Sequence, residues 1–392
     1  GEVLTTRRDL LWATAGLPLL GSSGLAVAEG GSTVGGLTAA AITPVVAGVR
    51  RPDTTRLPQR IAFGSCAEGA VPQPIWEAVL AADPDLFIFL GDNIYGDTRD
   101  PAVLSAKYAQ FAAQPGFRRL CDQVPVLATW DDHDYGEDDA GAEYPMKEVS
   151  QRIFCDFWGE PTDSLRRTRD GIYDAVEFSA GGRRLQVLLP DLRFNRTPIR
   201  MLDLGGKKYD DWTVELERAG RPVPGPYERN PDPQATMLGA RQWQWLEAQL
   251  ARPADLRVFA SSLQVVADFP GWEAWINYAE DHQRLLQTIR SQRANGFLCL
   301  SGDTHYAEFS CLRTNVPYPL WDFTSSGLTE TWPVLPPNSR RVGEAWREPN
   351  FGLLQLDWSD PAAVRVTAQV RDVTSAVRIE QRLDTRDLRV VS

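Results

Sequence analysis

Four apolar runs in this chain each stop at a short cluster of metal-binding or acid–base residues, and that repetition limits the fold more than any other feature. "RIAFGSC" ends at Gly64-Ser65-Cys66, and "DLFIFLGDNIYGDT" passes through Gly91-Asp92-Asn93-Ile94-Tyr95. "VPVLATWDDHD" ends at Asp131-Asp132-His133-Asp134, and "GFLCLSGDTH" at Gly302-Asp303-Thr304-His305. One such ending is only a turn, since Gly, Asp and Asn are common turn residues. Four of them suit an α/β sheet, where ligands gather outside the carboxyl ends of the strands.

The segments between these runs support that class. "PIWEAVLAA" (74–82), "PAVLSAKYAQFAAQ" (101–114), "KEVSQRIFCDFWG" (147–159), "LGARQWQWLEAQLARP" (238–253) and "EDHQRLLQTIRSQ" (280–292) have helical spacing. "LRVFASS" (256–262) reads as a further strand, and residues 171–193 as two strands joined by Gly181-Gly182. Residues 194–237 read as a loop rich in Pro and Gly, and the tail beyond residue 306 as mostly β. Strands alternating with helices predict an α/β fold, and the hairpin-like pairs predict mixed sheets. With no repeat and no interdomain linker after residue 58, residues 58–392 read as one domain.

The N-terminus has a different character. Arg7-Arg8 precede an apolar run from Leu10 to about Leu25, followed by Ala26-Val27-Ala28. Residues 1–28 therefore resemble a bacterial twin-arginine export signal, which predicts a periplasmic or secreted protein and the export machinery as a partner. The run is too short and too interrupted to make a stable membrane span. Residues 29–57 read as a lead-in. The formal charge of −11 speaks against nonspecific nucleic-acid binding, which needs a basic face, yet suits hard cations. Of five cysteines (Cys66, Cys121, Cys155, Cys299, Cys311), not all can pair within the chain, and none lies in a CxxC motif.

If the four strand ends converge, they bring together a thiolate, a phenolate, imidazoles and carboxylates. The softer set suits a trivalent or borderline transition metal, and the remaining carboxylates a hard divalent ion. Two metals sharing an aspartate would sit about 3.5–4 Å apart, the spacing that clamps a displacement at phosphorus. On this reading Asp92 bridges and Tyr95 is a terminal ligand. Taken singly, Cys66 suits a small buried hydrophobe, residues 131–134 an acidic turn, and His305 a structural histidine. Jointly they point to a metal site, because two of only three histidines fall in such clusters.

At these residues the chain resembles the calcineurin-type metallophosphoesterases, with their G-D-x-x-Y, G-N-H-E and late G-H-x-H patterns. It resembles more closely their alkaline phosphatase D (PhoD-like) branch, in which a Cys in "GSC" replaces the opening aspartate motif and W-D-D-H-[ED] replaces G-N-H-E. The match runs over roughly residues 58–330, through "TWDDHDYGEDDAG", "SQRIFCDFWGEP", "RRTRDGIYDAVEF", "PDLRFNR", "FASSLQVV" and "LSGDTHYAEFSCL". The resemblance implies two packed mixed sheets flanked by helices. It implies an exported phosphoric mono- or diester hydrolase, alkaline phosphatase- or phospholipase D-like, that uses a metal-activated hydroxide. It further implies Fe³⁺ held by Cys66, Asp92, Tyr95 and His305, and one or two Ca²⁺ held by Asp92, Asp132 and Asp303. His133 would contact the phosphate or the leaving group. Arg193, in the string Asp191-Leu192-Arg193, would clamp phosphate with its bidentate fork.

Two departures stand out. The superfamily has a further metal histidine before the last motif, where this chain offers only His282, inside a helical run. Longer members carry an N-terminal β domain, for which the roughly 30 residues between Ala28 and the first strand leave no room; a more open site is expected. A second class of function, a non-catalytic calcium- or carbohydrate-binding β-rich module, would explain the acidic loops and tryptophans but not a Cys, a Tyr and two His at strand ends. A Cys66–His133 nucleophile pair is disfavoured, since surrounding aspartates raise a thiol's pKa. Trp243, Trp245, Trp272, Trp275, Trp321 and Trp332 are candidates for an apolar approach to the site, with Trp243 and Trp245 better placed as core.

Overall fold

The computed structural model describes residues 42–222 and 224–391; the export-like segment and residues 29–41 of the lead-in lie outside them. The apolar runs form strands because their side chains are buried on both faces. β1 (Arg60–Gly64), β2 (Leu86–Leu90) and β3 (Val126–Thr129) pair in parallel. On one face Ile61, Phe63, Leu86, Ile88 and Leu90 point into the larger core. On the other Ala62, Phe87, Phe89, Val126 and Ala128 point into a second one. This period-two division of a near-continuous apolar run is what a parallel sheet covered on both sides requires.

The outer core is closed by α1 (Ile75–Ala81), α2 (Pro101–Ala112), α3 (Pro115–Gln123) and α5 (Lys147–Phe157); α4 is the single turn Asp132–Tyr135. Asp100 caps α2 by accepting from the Ala102 amide, with Pro101 at the first helical position. The inner core lies between two sheets. The second is built on β4 (Asp174–Ala180), β5 (Arg183–Leu189), β6 (Leu256–Ala260) and β7 (Phe297–Ser301). It continues with β8 (Ala307–Leu312), β9 (Leu320–Ser325) and β10 (Arg341–Trp346), in the order β10-β8-β9-β7-β6-β5-β4. β11 (Asn350–Asp357), β12 (Arg365–Asp372) and β13 (Val377–Asp384) extend the first sheet antiparallel, giving β13-β12-β11-β1-β2-β3. α7 (Ala240–Leu250) and α8 (Ala279–Ser291) contribute Trp243, Leu246, Leu285 and Ile289 to the inner core. The fold is thus α/β with two mixed sheets and flanking helices.

The expected loop over 194–237 contains α6 (Tyr209–Arg218), whose Tyr209, Thr213 and Leu216 bury one face at helical spacing. The Gly and Pro residues around it obscure that period. β10 and β13 are edge strands rich in charge, and β13 buries only Ile379, so the usual alternation is absent. Among the described residues no helix is long and apolar enough to cross a membrane.

His282 sits buried in α8, hydrogen-bonded to the Val265 backbone. Burial, with the Arg340 and Arg229 charges, pushes its imidazole down to about 4. The unfolded chain takes up this proton near pH 6.5 and the folded chain only near 4, so the stability present above pH 6.5 falls as pH drops. The loss accumulates to about 3 kcal/mol by pH 4, at ~1.4 kcal/mol per pH unit. Urea titrations of His282→Gln between about pH 6.5 and 5 should give a flatter stability profile than the parent chain. An identical slope in both would show that other groups carry the acid response.

Candidate metal centre

The carboxyl ends of β1, β2 and β3 lie side by side, and that of β7 comes from the facing sheet. Their loops bring ligand atoms within 4.8 Å of one another in three groups that share Asp92: Cys66, Asp92 and His305; Asp92, Asp131, Asp132 and Asp303; and Asp92, Asp132 and His133. Cys66 Sγ is 3.6 Å from Asp92 Oδ2, and the Tyr95 hydroxyl hydrogen-bonds Cys66. Backbone geometry makes the convergence possible. Cys66, Asp92, Asp303 and His305 have φ of 63°, 50°, 67° and 62°, the left-handed region that non-glycine residues seldom occupy. Gly91, at φ 97°, must be glycine, because a Cβ there would lie 2.6 Å from both Cβ and N of Asp131.

One segment straps the loops together. The amides of Gly327 and Leu328 donate to Ser65 O, those of Thr329 and Glu330 to Cys66 O, and that of Trp332 to His305 O. Ser326 Oγ accepts from the His305 amide at 3.0 Å and donates to Cys66 Sγ at 3.2 Å. A hydroxyl after β9 therefore fixes a thiol after β1 and a histidine after β7. Sequence reading missed it, for a lone serine carries no signal of its own.

The acidic run 131–134 divides into separate roles. Asp134 is a structural hub: its carboxylate accepts from the amides of Asp92, Asn93 and Asp131 and from Asn93 Nδ2. Asp131 Oδ1 accepts from Arg193 and from Ser262 Oγ, and Asp132 Oδ2 from the Asp139 amide. The His133 amide donates to Asp92 Oδ1. The His133 ring rests on Tyr95, its Nδ1 is 2.6 Å from Asp97 Oδ1, and its Nε2 is 3.6–3.7 Å from Asp138 and Asp132. Burial opposes the imidazolium, but Asp132 and Asp97 hold its pKa well above the ordinary range. Asp97 stands in the sequence only as a second aspartate in "GDNIYGDT", and Asp138 and Asp139 carry no reading there. They form a further oxygen group with Asp132.

The donor set fits metal ions. Asp92, Asp131 and Asp132 are all at most 2% exposed. Burial, then the neighbouring Asp132 and Cys66, push Asp92 well above the carboxylate range; burial does the same to Asp131 against the pull of Arg193. Burial likewise pushes the Cys66 thiol up to about 12. Asp132 stays low despite burial, through His133 and Arg193. Asp131 Oδ2, Asp132 Oδ1 and Asn93 Oδ1 are buried with no hydrogen-bond partner. Buried like charges with oxygens left over are a poor arrangement for protein alone and a good one for cations.

Arg193 is placed elsewhere than a phosphate clamp would be. It is fully buried, and its guanidinium meets Asp131 Oδ1 through Nε and Nη2, both Glu273 oxygens, and Ala140 O. All five N–H groups face protein acceptors, so no edge remains for substrate, and the residue instead positions Asp131. Arg196 pairs with the same Glu273. Asp191 Oδ1 accepts the Arg193 and Phe194 amides and Oδ2 that of Ile172. His282 belongs to none of the metal-capable groups among the described residues. Trp243, Trp275 and Trp321 are core, and Trp245 packs against it. Trp272 and Trp332 form a small cluster with Tyr306, the residue after His305.

Comparison with known proteins bears on this geometry. The model of the PhoD-like phosphatase family matches residues 61–348. Alkaline phosphatase D of Bacillus subtilis (strain 168) is 24% identical over 216 residues, 51% of this chain and 34% of the relative, so the match spans about a third of that protein. A solved structure of PhoD superposes with a TM-score of 0.61 at 16% identity, covering 88% of this chain and 73% of that one, a likeness of fold. A dimetal phosphatase from Danio rerio gives a TM-score of 0.46 at 16% identity over 86% of this chain and 100% of that one.

Removing the hydroxyl that joins Cys66 to His305 should loosen the centre without unfolding the chain. Ser326→Ala should retain metal about 10–100-fold less tightly in chelator competition, the effect typical of a group that orients ligands. Ser326→Thr, which keeps the hydroxyl, should stay near the parent. Equal retention by Ser326→Ala and the parent would remove the bridge from the site.

Proposed function

Because the chain belongs to the PhoD-like phosphatase family, we propose that it is a metal-dependent phosphoesterase hydrolysing phosphoric mono- or diesters with water as nucleophile. The observation that carries this reading is the convergence of three ligand groups on Asp92. Cys66, Tyr95 and His305 would hold Fe³⁺ with Asp92; Asp132 and Asp303, joined by Asp131, would hold Ca²⁺ with it. Sulfur, phenol and imidazole on one side and oxygen alone on the other support that assignment. Such a pair, when bound, supplies a nucleophilic water near neutral pH and screens the charge of the phosphoryl group.

The chain's own groups supply the rest. Asp92 belongs to all three ligand groups and so sets their spacing. Asp97 accepts a hydrogen bond from His133 Nδ1–H, which turns Nε2–H toward the Asp132 and Asp138 carboxylates, where it would bond a phosphate oxygen or protonate a departing alkoxide. The hydroxyls at the clusters are committed within the protein, Ser262 to Asp131, Ser326 to Cys66 and Thr304 to the Tyr306 carbonyl, which supports direct displacement by water and inversion at phosphorus. A calcium- or carbohydrate-binding module would have no use for Cys66 and His305 in one group. Arg7-Arg8 and the apolar run after them support export to the periplasm or medium by the twin-arginine route.

Cys66→Ala should lose a transition metal in elemental analysis together with activity on aryl and alkyl phosphoesters; full metal content in that variant would sink the ligand assignment. His133→Asn should keep its metals and slow alkyl esters by about 10²–10⁴-fold, with a much smaller loss on nitrophenyl esters, whose leaving groups need no proton. Equal losses on the two would remove the general-acid role, and loss of metal would make His133 a ligand.

A further inference from the structure

Outside the metal centre, an open cavity of about 640 Å³ lies between α5, the turn at 167–170 and α7. Four arginines line it: Arg152, Arg167, Arg169 and Arg241. In a chain of formal charge −11 that is an unusual concentration of positive charge. Arg167 is committed elsewhere, to Asp156 and to the Glu160 and Pro161 carbonyls. The other three are not. Arg152 and Arg241 are exposed and make no ion pair or hydrogen bond among the described residues. Arg169 is half-buried, stacked 3.8 Å over the Tyr173 ring and 5.7 Å from that of Trp245, and its Nε has no hydrogen-bond partner. Two carboxylates line it, Glu148 and Asp170; Asp170 accepts from the Tyr173 hydroxyl and, with Asp174, faces Arg169, so the cavity keeps an excess of guanidinium over carboxylate.

The floor is rigid. Gln151 Nε2 donates to the carbonyls of Arg166, Arg169 and Gly171, fixing the turn that presents Arg169. A stacked guanidinium loses little freedom on binding, and planar forks match tetrahedral oxyanions. We propose that this cavity is an anion site for phosphate-type groups, separate from the metal centre. Its ligand is either released phosphate or a second phosphate on a substrate that carries several. The proposal goes beyond the phosphoesterase reading, since anion binding here needs no metal.

Calorimetric titration separates the two sites. Cys66→Ala, stripped of its remaining ions by chelator and dialysis, should still bind inorganic phosphate saturably at one site, more weakly as ionic strength rises. Adding Arg152→Gln and Arg241→Gln should weaken that binding at least tenfold with thermal stability unchanged, because both side chains are exposed. No binding to Cys66→Ala, or binding indifferent to the arginine changes, would overturn the site, whatever the enzyme does. Tripolyphosphate binding no tighter than phosphate assigns the site to released product. Tighter tripolyphosphate binding assigns it to multi-phosphate substrates, and the double arginine variant should then raise KM for such substrates while leaving kcat alone.

Discussion

The mutual repulsion of carboxylates packed out of water at the strand ends is the constraint that organises this molecule. Asp131, Asp132 and Asp134 are buried around one helical turn, with Asp92 buried beside them on the loop after β2. Placing several anions there is unfavourable unless cations and hydrogen-bond donors compensate. The protein compensates unevenly. Arg193 neutralises Asp131 and is itself balanced, together with Arg196, by Glu273. Asp134 is satisfied by three backbone amides and an amide side chain. Asp92 and one oxygen each of Asp131 and Asp132 lack comparable relief, and that is where a cation fits.

The same constraint explains the backbone. Six of the non-glycine residues in the left-handed region (Cys66, Asp92, Asp97, Asp139, Asp303 and His305) line this one place. Each such conformation costs on the order of 1–3 kcal/mol unless its surroundings impose it. Here the surroundings are the 326–332 strap, which hydrogen-bonds the loops after β1 and β7, and the Asp134 hub, which joins those after β2 and β3. Strain at the ligands is therefore sustained by two sheets packed face to face.

Much of this was legible in the sequence, for physical reasons. Parallel strands buried on both faces read as short apolar runs, and an abrupt change to Asp, Cys, His and Tyr marks where each leaves the sheet. Other features were hidden because their signal is relational. Asp131, Asp132 and Asp134 are chemically identical, yet one meets an arginine fork, one the Asp139 amide, and one three backbone amides. Only their positions around α4 separate them. Arg193 looked like a phosphate clamp because a guanidinium fork suits phosphate. The same fork suits Glu273, which is 80 residues away in sequence. β13 and α6 escaped because their buried residues are few and flanked by charge or by Gly and Pro.

The buried network around Glu273 also decides what Arg193 can do. Were Arg193 only partly paired, its fork would be open to an anion. Glu273, held well below the usual carboxylate range by Arg193 and Arg196 despite its burial, keeps the guanidinium occupied. The positive charge at the centre is thereby left to His133 and to whatever ions Asp92 shares. Arg193 itself lies fully buried behind Asp131, with its fork committed to protein acceptors.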